Sequence, residues 1–172
     1  GAYARNATFD NYFIAYYDKR DNSLDVPPHT FYLNEQLVEA NALLHFAPVS
    51  IFSMDLLSAR IHLHEALKLA TLKTHNTFSK YHFERPLRIQ IHVEGSLLPG
   101  HIPFVTAELT TTGNILHYKK KYQINKCKMK AVYSNRTDST LANSVSNTSM
   151  VLSNCSGEWE GIPIATDTIL IN

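Results

Sequence analysis

Two cysteines carry the most reactive side chains of this sequence, and they are the only two in it. Cys127 and Cys155 lie far apart along the chain, and neither belongs to a Cys-x-x-Cys motif or to a cluster with histidine. Such spacing gives little support for a metal site. We therefore predict a disulfide between them, which would stabilise the fold by roughly 3 kcal/mol through its effect on the unfolded chain. Two buried free thiols are the alternative.

Four Asn-x-Ser/Thr sequons are the second chemical signature, because they are acceptors for N-linked glycans in secreted proteins. They begin at Asn6, Asn135, Asn147 and Asn154. Three of them fall within residues 134–156, a stretch dense in Ser, Asn and Thr that is typical of an exposed loop. The sequence therefore predicts an extracellular or secreted glycoprotein. A polar loop with accidental matches is the alternative, and a glycan on the last sequon, which contains Cys155, would compete with the disulfide.

Six lysines form the strongest charge cluster, at Lys119, Lys120, Lys121, Lys126, Lys128 and Lys130. Lys126, Lys128 and Lys130 alternate and would share one face of a strand. Lys119 and Lys121 would lie on the matching face of the adjacent strand. These five residues are a candidate contact for a polyanion, such as a sulfated glycan or an acidic partner. The favoured interpretation is a solvated face, or a sheet edge that lysine protects from aggregation.

The nine histidines and the acidic residues suggest little metal or catalytic chemistry. His62 and His64 would share a face only on a strand, with Glu65 on the opposite face, so we predict no metal site and no cofactor. No serine lies in a Gly-x-Ser-x-Gly motif. Glu158 and Glu160 flank Trp159 and could line a sugar cleft, but a tryptophan packed on the core is the favoured interpretation. We predict no catalytic residue and a non-enzymatic protein.

Composition limits the remaining classes of function. The chain has 172 residues, with 16 basic and 15 acidic side chains and a net charge of +1. A nucleic-acid-binding domain usually carries a strong basic excess, so we expect no nucleic-acid partner. No apolar stretch is long enough for a membrane span. The charged fraction of 18% is low, and the polar surface that this implies is common on extracellular proteins.

The first half of the chain has mixed periodicity. Residues 12–17 are aromatic and β-prone on both faces, which predicts either a central strand of a sandwich or an arm that adds to a neighbouring subunit. Residues 29–33 predict a second strand. Asn34 could cap a helix that Pro48 would end. Residues 53–73 fit both a helix and a strand, and their Ala, Leu and Lys content favours the helix.

The second half alternates clearly between apolar and polar residues. Residues 86–133 predict a four-stranded antiparallel meander, with a tight turn at Gly113 and Asn114 and strands over 115–124 and 125–133. Residues 161–171 form an apolar terminal strand. Such a strand needs a partner, either in its own sheet or in a neighbouring molecule.

Together these patterns predict an all-β or β-dominated α+β fold, with antiparallel sandwich or jelly-roll-like sheets and one or two helices in residues 35–73. We expect a single domain over residues 1–172, with 1–20 as an extended arm or strand. The functional hypothesis is a secreted structural subunit that assembles with copies of itself through its strands, as a filament, coat or surface layer. An extracellular or viral ectodomain that recognises a protein or glycan is the alternative.

Overall fold

The computed structural model describes residues 9–10, 12, 14–69, 72–119, 121–136 and 147–171, and antiparallel strands dominate this part of the chain. All eleven strands of the described residues belong to one hydrogen-bonded sheet. In chain order the strands are Phe9–Asp10 (β1), Tyr16–Asp18 (β2), Ser23–Leu33 (β3), Gln36–His45 (β4), Ile51–Ile61 (β5), Tyr81–Phe83 (β6), Leu87–Ser96 (β7), Phe104–Tyr118 (β8), Tyr122–Ser134 (β9), Ser149–Trp159 (β10) and Ile162–Ile171 (β11). The predicted β-dominated fold is confirmed.

The order of the strands across the sheet nearly follows their order in the sequence. It runs β1-β3-β4-β5-β7-β8-β9-β10-β11, with β2 beside β3 and β6 beside β8. The sheet is therefore a long meander. Its first edge carries the short strands β1 and β2, and its second edge is β11.

The helix predicted to begin at Asn34 is wrong, because that region is the strand β4. Asn34 and Glu35 have φ of 46° and 67° and form a two-residue hairpin loop between the paired Leu33 and Gln36. Loops with positive φ at both residues match the twist of a β-hairpin. Val38 is buried at 4% exposure, while its neighbour Leu37 is 52% exposed, which is the two-residue period of a strand.

The helix favoured over residues 53–73 is wrong in its first half and right in its second. β5 occupies Ile51–Ile61 and pairs with β4 on one side and β7 on the other. Helical structure follows, as α1 at Leu63–Ala66, a 3-10 helix at Leu67–Leu69 and α2 at Leu72–Phe78. Two neighbouring strands provide β5 with backbone partners along its length, and this outweighs the weak helix propensity of its residues.

The turn predicted at Gly113 and Asn114 is wrong, and 86–133 contains three strands rather than four. β8 runs through these residues, and Gly113, with φ of 65°, lies in a bulge where the register shifts. Asn114 is 1% exposed. Its amide hydrogen-bonds the backbone N–H and C=O of Arg85, each at 3.0 Å, where β8 changes partner from β7 to β6. The side chain thus supplies the hydrogen bonds of a missing strand residue.

The buried core lies on the face of the sheet that the helices cover. Leu63 and Ala66 of α1 pack against a cluster from β5, β6, β7 and β9, namely Ile61, Phe83, Leu87, Ile89 and Cys127. β10 and β11 extend beyond this cluster. The hydrophobic stabilisation of the fold is therefore concentrated in the middle of the sheet and does not reach its second edge.

Candidate functional site

The outermost strand β11 is the most unusual surface of the described chain. All ten of its residues are exposed, although half of them are Ile or Leu. The exposed apolar side chains of this strand are Ile162, Ile164, Ile169, Leu170 and Ile171. The predicted terminal strand does pair within its own sheet, to β10, but its outer edge and both of its faces are uncovered. Long apolar edge strands of this kind are templates for pairing with another chain.

A tight hairpin holds β11 on β10. Glu160 and Gly161 form its two-residue loop, with φ of 52° and 83°, and Trp159 pairs with Ile162. The attachment of β10 to β9 depends on Gly157. A Cβ at this position would lie 2.5 Å from Cγ2 of Ile124 and 2.9 Å from the carbonyl oxygen of Asn125, so any side chain there would push the hairpin off the sheet.

The hairpin fixes which backbone groups of β11 face outward. Residues that flank a two-residue hairpin loop exchange hydrogen bonds, and bonded and non-bonded pairs then alternate along the ladder. Ile162 therefore bonds to β10, and Pro163, opposite Glu158, turns its nitrogen outward, where proline needs no donor. The same alternation turns the backbone of every second residue outward, at Pro163, Ala165, Asp167, Ile169 and Ile171. The last four each present an outward N–H and C=O.

The first edge of the sheet is built differently. β1 and β2 contain two and three residues and pair with opposite ends of β3. Between them β3 contains Pro27 and Pro28, where the register with β4 shifts, and a ring nitrogen of His29 lies 3.1 Å from the carbonyl oxygen of Pro27. Short strands and prolines are the usual protection of a sheet edge. The central-strand prediction for 12–17 is wrong, because β2 lies at this edge and Tyr12 is 97% exposed.

The described lysines of the predicted cluster lie at a turn and along the strand that follows it. Lys119 follows β8 and Lys121 precedes β9, so both lie at the turn between these strands. Lys126 and Lys130 lie along β9 and form ion pairs with Glu158 and Glu108. The edge-protection interpretation is wrong for β9, which lies between β8 and β10. Lys128 also lies on β9 and is exposed.

A row of tyrosines beside the β8–β9 turn was not predicted. Tyr81, Tyr118 and Tyr122 are paired across β6, β8 and β9, with ring centroids 5.0 Å and 6.3 Å apart. The Nζ atoms of Lys80, Lys119 and Lys121 lie 5.1–5.9 Å from these ring centroids, within the range of cation–π interactions. The sequence could have revealed this row, because Tyr118 and Tyr122 lie on either side of a turn. The turn predicted at Gly113 instead concealed their pairing.

The predicted disulfide between Cys127 and Cys155 is not formed, because both cysteines are free thiols in this structure. They lie on the neighbouring strands β9 and β10, with Cys127 buried and Cys155 half-buried. Burial, with a smaller contribution from the nearby Cys155, raises the pKa of the Cys127 thiol to about 11. Burial also raises the pKa of Cys155. Because the thiolate is the reactive form, both side chains are slow nucleophiles near neutral pH.

The described sequons differ in accessibility. Asn147 is 1% exposed. Asn135 uses both ends of its amide, accepting from the N–H of Val105 at 2.7 Å and donating to the carbonyl oxygen of Pro103 at 2.9 Å. Asn154 is exposed, with φ of 52°, in β10. Asn6 lies outside the described residues. Asn154 is therefore the best-placed glycan acceptor of the described chain.

The side chains considered for metal or catalytic chemistry are dispersed or otherwise engaged. The rings of His62 and His64 lie 5.7 Å apart, and His64 contacts Glu65 at 2.9 Å, but within the described residues no group of three potential ligands could hold a metal ion. Glu158 is ion-paired. Trp159 is 44% exposed, so the prediction that it packs on the core is wrong.

One cavity lies between the helices and β6. It has a volume of about 100 Å³, and His64, His75 and His82 are among its lining residues. Ligand pockets usually have volumes of about 300 Å³ or more. This cavity is therefore too small for an ordinary substrate. A wider depression of about 740 Å³ lies at the first edge of the sheet, with Tyr16, Arg20 and His45 among its lining residues. The exposed strand β11 remains the strongest candidate for a functional site.

No family model, curated protein or solved structure matches this chain. In the part of the chain that the structure describes, none of the helices is long and apolar enough to cross a membrane. The candidate functional surfaces are the two sheet edges and the row of tyrosines and lysines beside the β8–β9 turn.

Proposed function

We propose that this chain is a non-enzymatic structural subunit that assembles with copies of itself through strand pairing at β11. The observation that carries the proposal is the exposure of all ten residues of β11, on a strand that also presents outward backbone groups. Its ten residues include a single charged side chain, Asp167, so little electrostatic repulsion opposes the addition of another strand. Main-chain hydrogen bonds supply the affinity in this mode of recognition.

The experiment compares two substitutions at Ile169, whose N–H faces outward. Ile169→Pro removes that donor and leaves the bonds to β10 intact, as Pro163 does at its own position. Ile169→Ala removes most of the side chain but keeps the N–H. We expect light scattering after size exclusion to give a multiple of the 19.5 kDa chain mass for the native protein and Ile169→Ala, and one chain mass for Ile169→Pro. A native protein that is monomeric at tens of micromolar would refute the proposal.

The proposed subunit is secreted and glycosylated at Asn154. The exposure of Asn154 supports this assignment.

Mass spectrometry of protein from a eukaryotic secretory host tests this assignment. We expect glycosidase treatment to remove less mass from Asn154→Gln than from the native chain, whereas Asn147→Gln should lose as much mass as the native chain. A native chain that loses no mass would contradict a secreted, glycosylated state.

A second candidate function is recognition of an anionic glycan at the lysine–tyrosine corner formed by Lys80, Lys119, Lys121, Tyr81, Tyr118 and Tyr122. The arrangement of three ammonium groups around a row of rings favours it. Heparin is the probe. Reversal of the three lysines to Glu should abolish retention on heparin at low salt, whereas Lys128→Glu should weaken it only slightly. Equal effects of the two changes would remove this candidate.

A further inference from the structure

The outward backbone groups of β11 are arranged so that the strand can pair with itself. We propose that two copies of the chain join by antiparallel pairing of β11 with β11 of a second copy, about a two-fold axis at Thr168. This inference rests on the proposed function and specifies its geometry. A two-fold contact uses the same surface on both copies and closes on itself, so the product is a dimer with one continuous sheet rather than a filament.

The alternative occupant within the same assembly is the first edge of another copy, and the structure of that edge opposes it. In the described residues this edge consists of β1 and β2, with two and three residues, which are much shorter than the ten-residue β11. Pro27 and Pro28 lie between the parts of β3 that pair with β1 and β2, and neither has an N–H donor. Neighbouring residues of a strand point their backbone groups in opposite directions, so one of these two positions lacks a donor toward the edge. β11 is thus the long edge that keeps its donors, and its best partner is the same strand of a second copy.

Pairing between outward residues restricts the axis to a few positions. An axis at Asp167 places the two Asp167 carboxylates directly opposite each other. An axis at Thr166 places Pro163, which has no N–H, opposite Ile169. An axis at Thr168 pairs Ala165 with Ile171 and Asp167 with Ile169, so every outward N–H of these residues obtains an acceptor and Pro163 lies outside the ladder. This register forms about eight hydrogen bonds between the copies, since each bonded pair exchanges two.

The side chains are also compatible with the axis at Thr168. The two Thr168 residues face each other, and cross-strand threonine pairs are favourable. Leu170 lies opposite Thr166, and Ile171 lies opposite Ala165. Each Asp167 faces Ile169 rather than the other carboxylate. β11 contains no other charged residue, so this register brings no two like charges directly opposite each other.

Cysteine cross-linking tests the register. The cysteines are introduced into a Cys127→Ala, Cys155→Ser background, and the mass of this background protein in solution must first match that of the native protein. Residues at the axis form a non-bonded pair with Cα atoms about 4.5 Å apart, within the range of disulfides. The control, Thr166→Cys, lies on the same face of β11, but its two copies would be about 14 Å apart along the paired strands. Glutathione disulfide is the oxidant and is reduced to glutathione as the two thiols join.

We expect Thr168→Cys to convert most of the chain to a covalent dimer on non-reducing gels and Thr166→Cys to convert little. Efficient cross-linking of Thr166→Cys alone would overturn the register. A native dimer in which neither variant cross-links would overturn self-pairing of β11 but leave self-association standing. Native species larger than a dimer would overturn the closed geometry, and a monomeric native protein would refute both this inference and the proposed function.

Discussion

The two edges of the sheet expose apolar side chains to a similar extent but differ in their backbones. Tyr16 and Tyr17 are 61% and 58% exposed at the first edge, and Leu170 is 60% exposed at the second. Among the residues that the structure describes, only the second edge offers a long row of N–H and C=O groups. The comparison indicates that backbone donors, rather than hydrophobicity, decide where this sheet can grow.

The comparison separates two kinds of substitution. Changes inside the sheet should lower the free energy of unfolding, because buried contacts lie there. Changes at the edges should alter association and leave the stability of the single chain nearly constant.

Gly157→Val should lower the free energy of unfolding more than the other substitutions, because it detaches β10 and β11 from the rest of the sheet. The first atom of the new side chain would meet Ile124 and the backbone of Asn125 within 3 Å. We expect the free energy of unfolding to fall by about 3 kcal/mol, at the upper end for overpacked sites, as measured by urea denaturation. The control Ser153→Val places the same side chain in the same strand and should cost less than about 1 kcal/mol. Equal losses would show that Gly157 has no special role.

Asn114→Ala should lower stability by about 2–3 kcal/mol, because it leaves the backbone N–H and C=O of Arg85 without their partners inside the sheet. Thr112→Ala, at an exposed position of the same strand, is the control and should be nearly neutral. The dimer dissociation constant of the folded Asn114→Ala chain should match that of the native protein. A change in that constant larger than the change in stability would contradict the separation between interior and edge.

Replacement of Pro27 and Pro28 by Thr should make the two edges more alike. The change restores two N–H donors in β3, so the first edge could accept β11 of another copy. We expect species larger than a dimer to appear in sedimentation velocity, with association at this edge strengthened about tenfold, or roughly 1.4 kcal/mol. An unchanged dimer would show that β1 and β2 alone close this edge.

A rise in pH from acidic to neutral values should lower the free energy of unfolding only slightly. This effect should come from a pair of side chains inside the sheet. The hydrogen bond that His92 donates to Asp55 raises the pKa of His92 above 6.5, against a lowering by burial. A group with a raised folded pKa adds stability that is complete below its unfolded pKa and is lost as pH rises through the folded value. Both side chains are more than one-third exposed, so the loss above about pH 6.5 should be under about 1 kcal/mol.

Urea denaturation of the native protein and of Asp55→Asn at pH 5.5 and pH 8 measures this effect. The substituted chain should lose less stability over that range. The dimer dissociation constant should be the same at both pH values, because His92 and Asp55 lie on β7 and β5, away from β11. A pH-dependent constant would place a titrating group at the interface.

The second half of the fold was easier to predict from sequence than the first. In β7 one face lies toward the core and the other toward solvent, so Leu87 and Ile89 alternate visibly with Arg88 and Gln90. In β4 and β5 the residues have helix-prone types, and neighbouring strands decide their structure. Those partners are distant in sequence, so local propensity could not reveal them.

The turns and the functional residues show a similar limit. Gly113 has the positive φ expected of a turn, but a bulge needs the same conformation, and only the position of Arg85 near Asn114 distinguishes the two. The apolar character of β11 was predicted. The exposure of both faces of β11 was not predicted, because it depends on where the helices end over the sheet.

The nearly sequential strand order has a consequence for how the chain folds. Each hairpin joins neighbours in the sequence, with β6 beside β8 as a short detour, so most pairings close small loops and folding should be fast for an all-β chain. During synthesis the sheet can grow hairpin by hairpin behind the ribosome, with β11 added after all the other strands. The surface proposed for association would then form last, which limits premature contact between nascent chains on one messenger RNA.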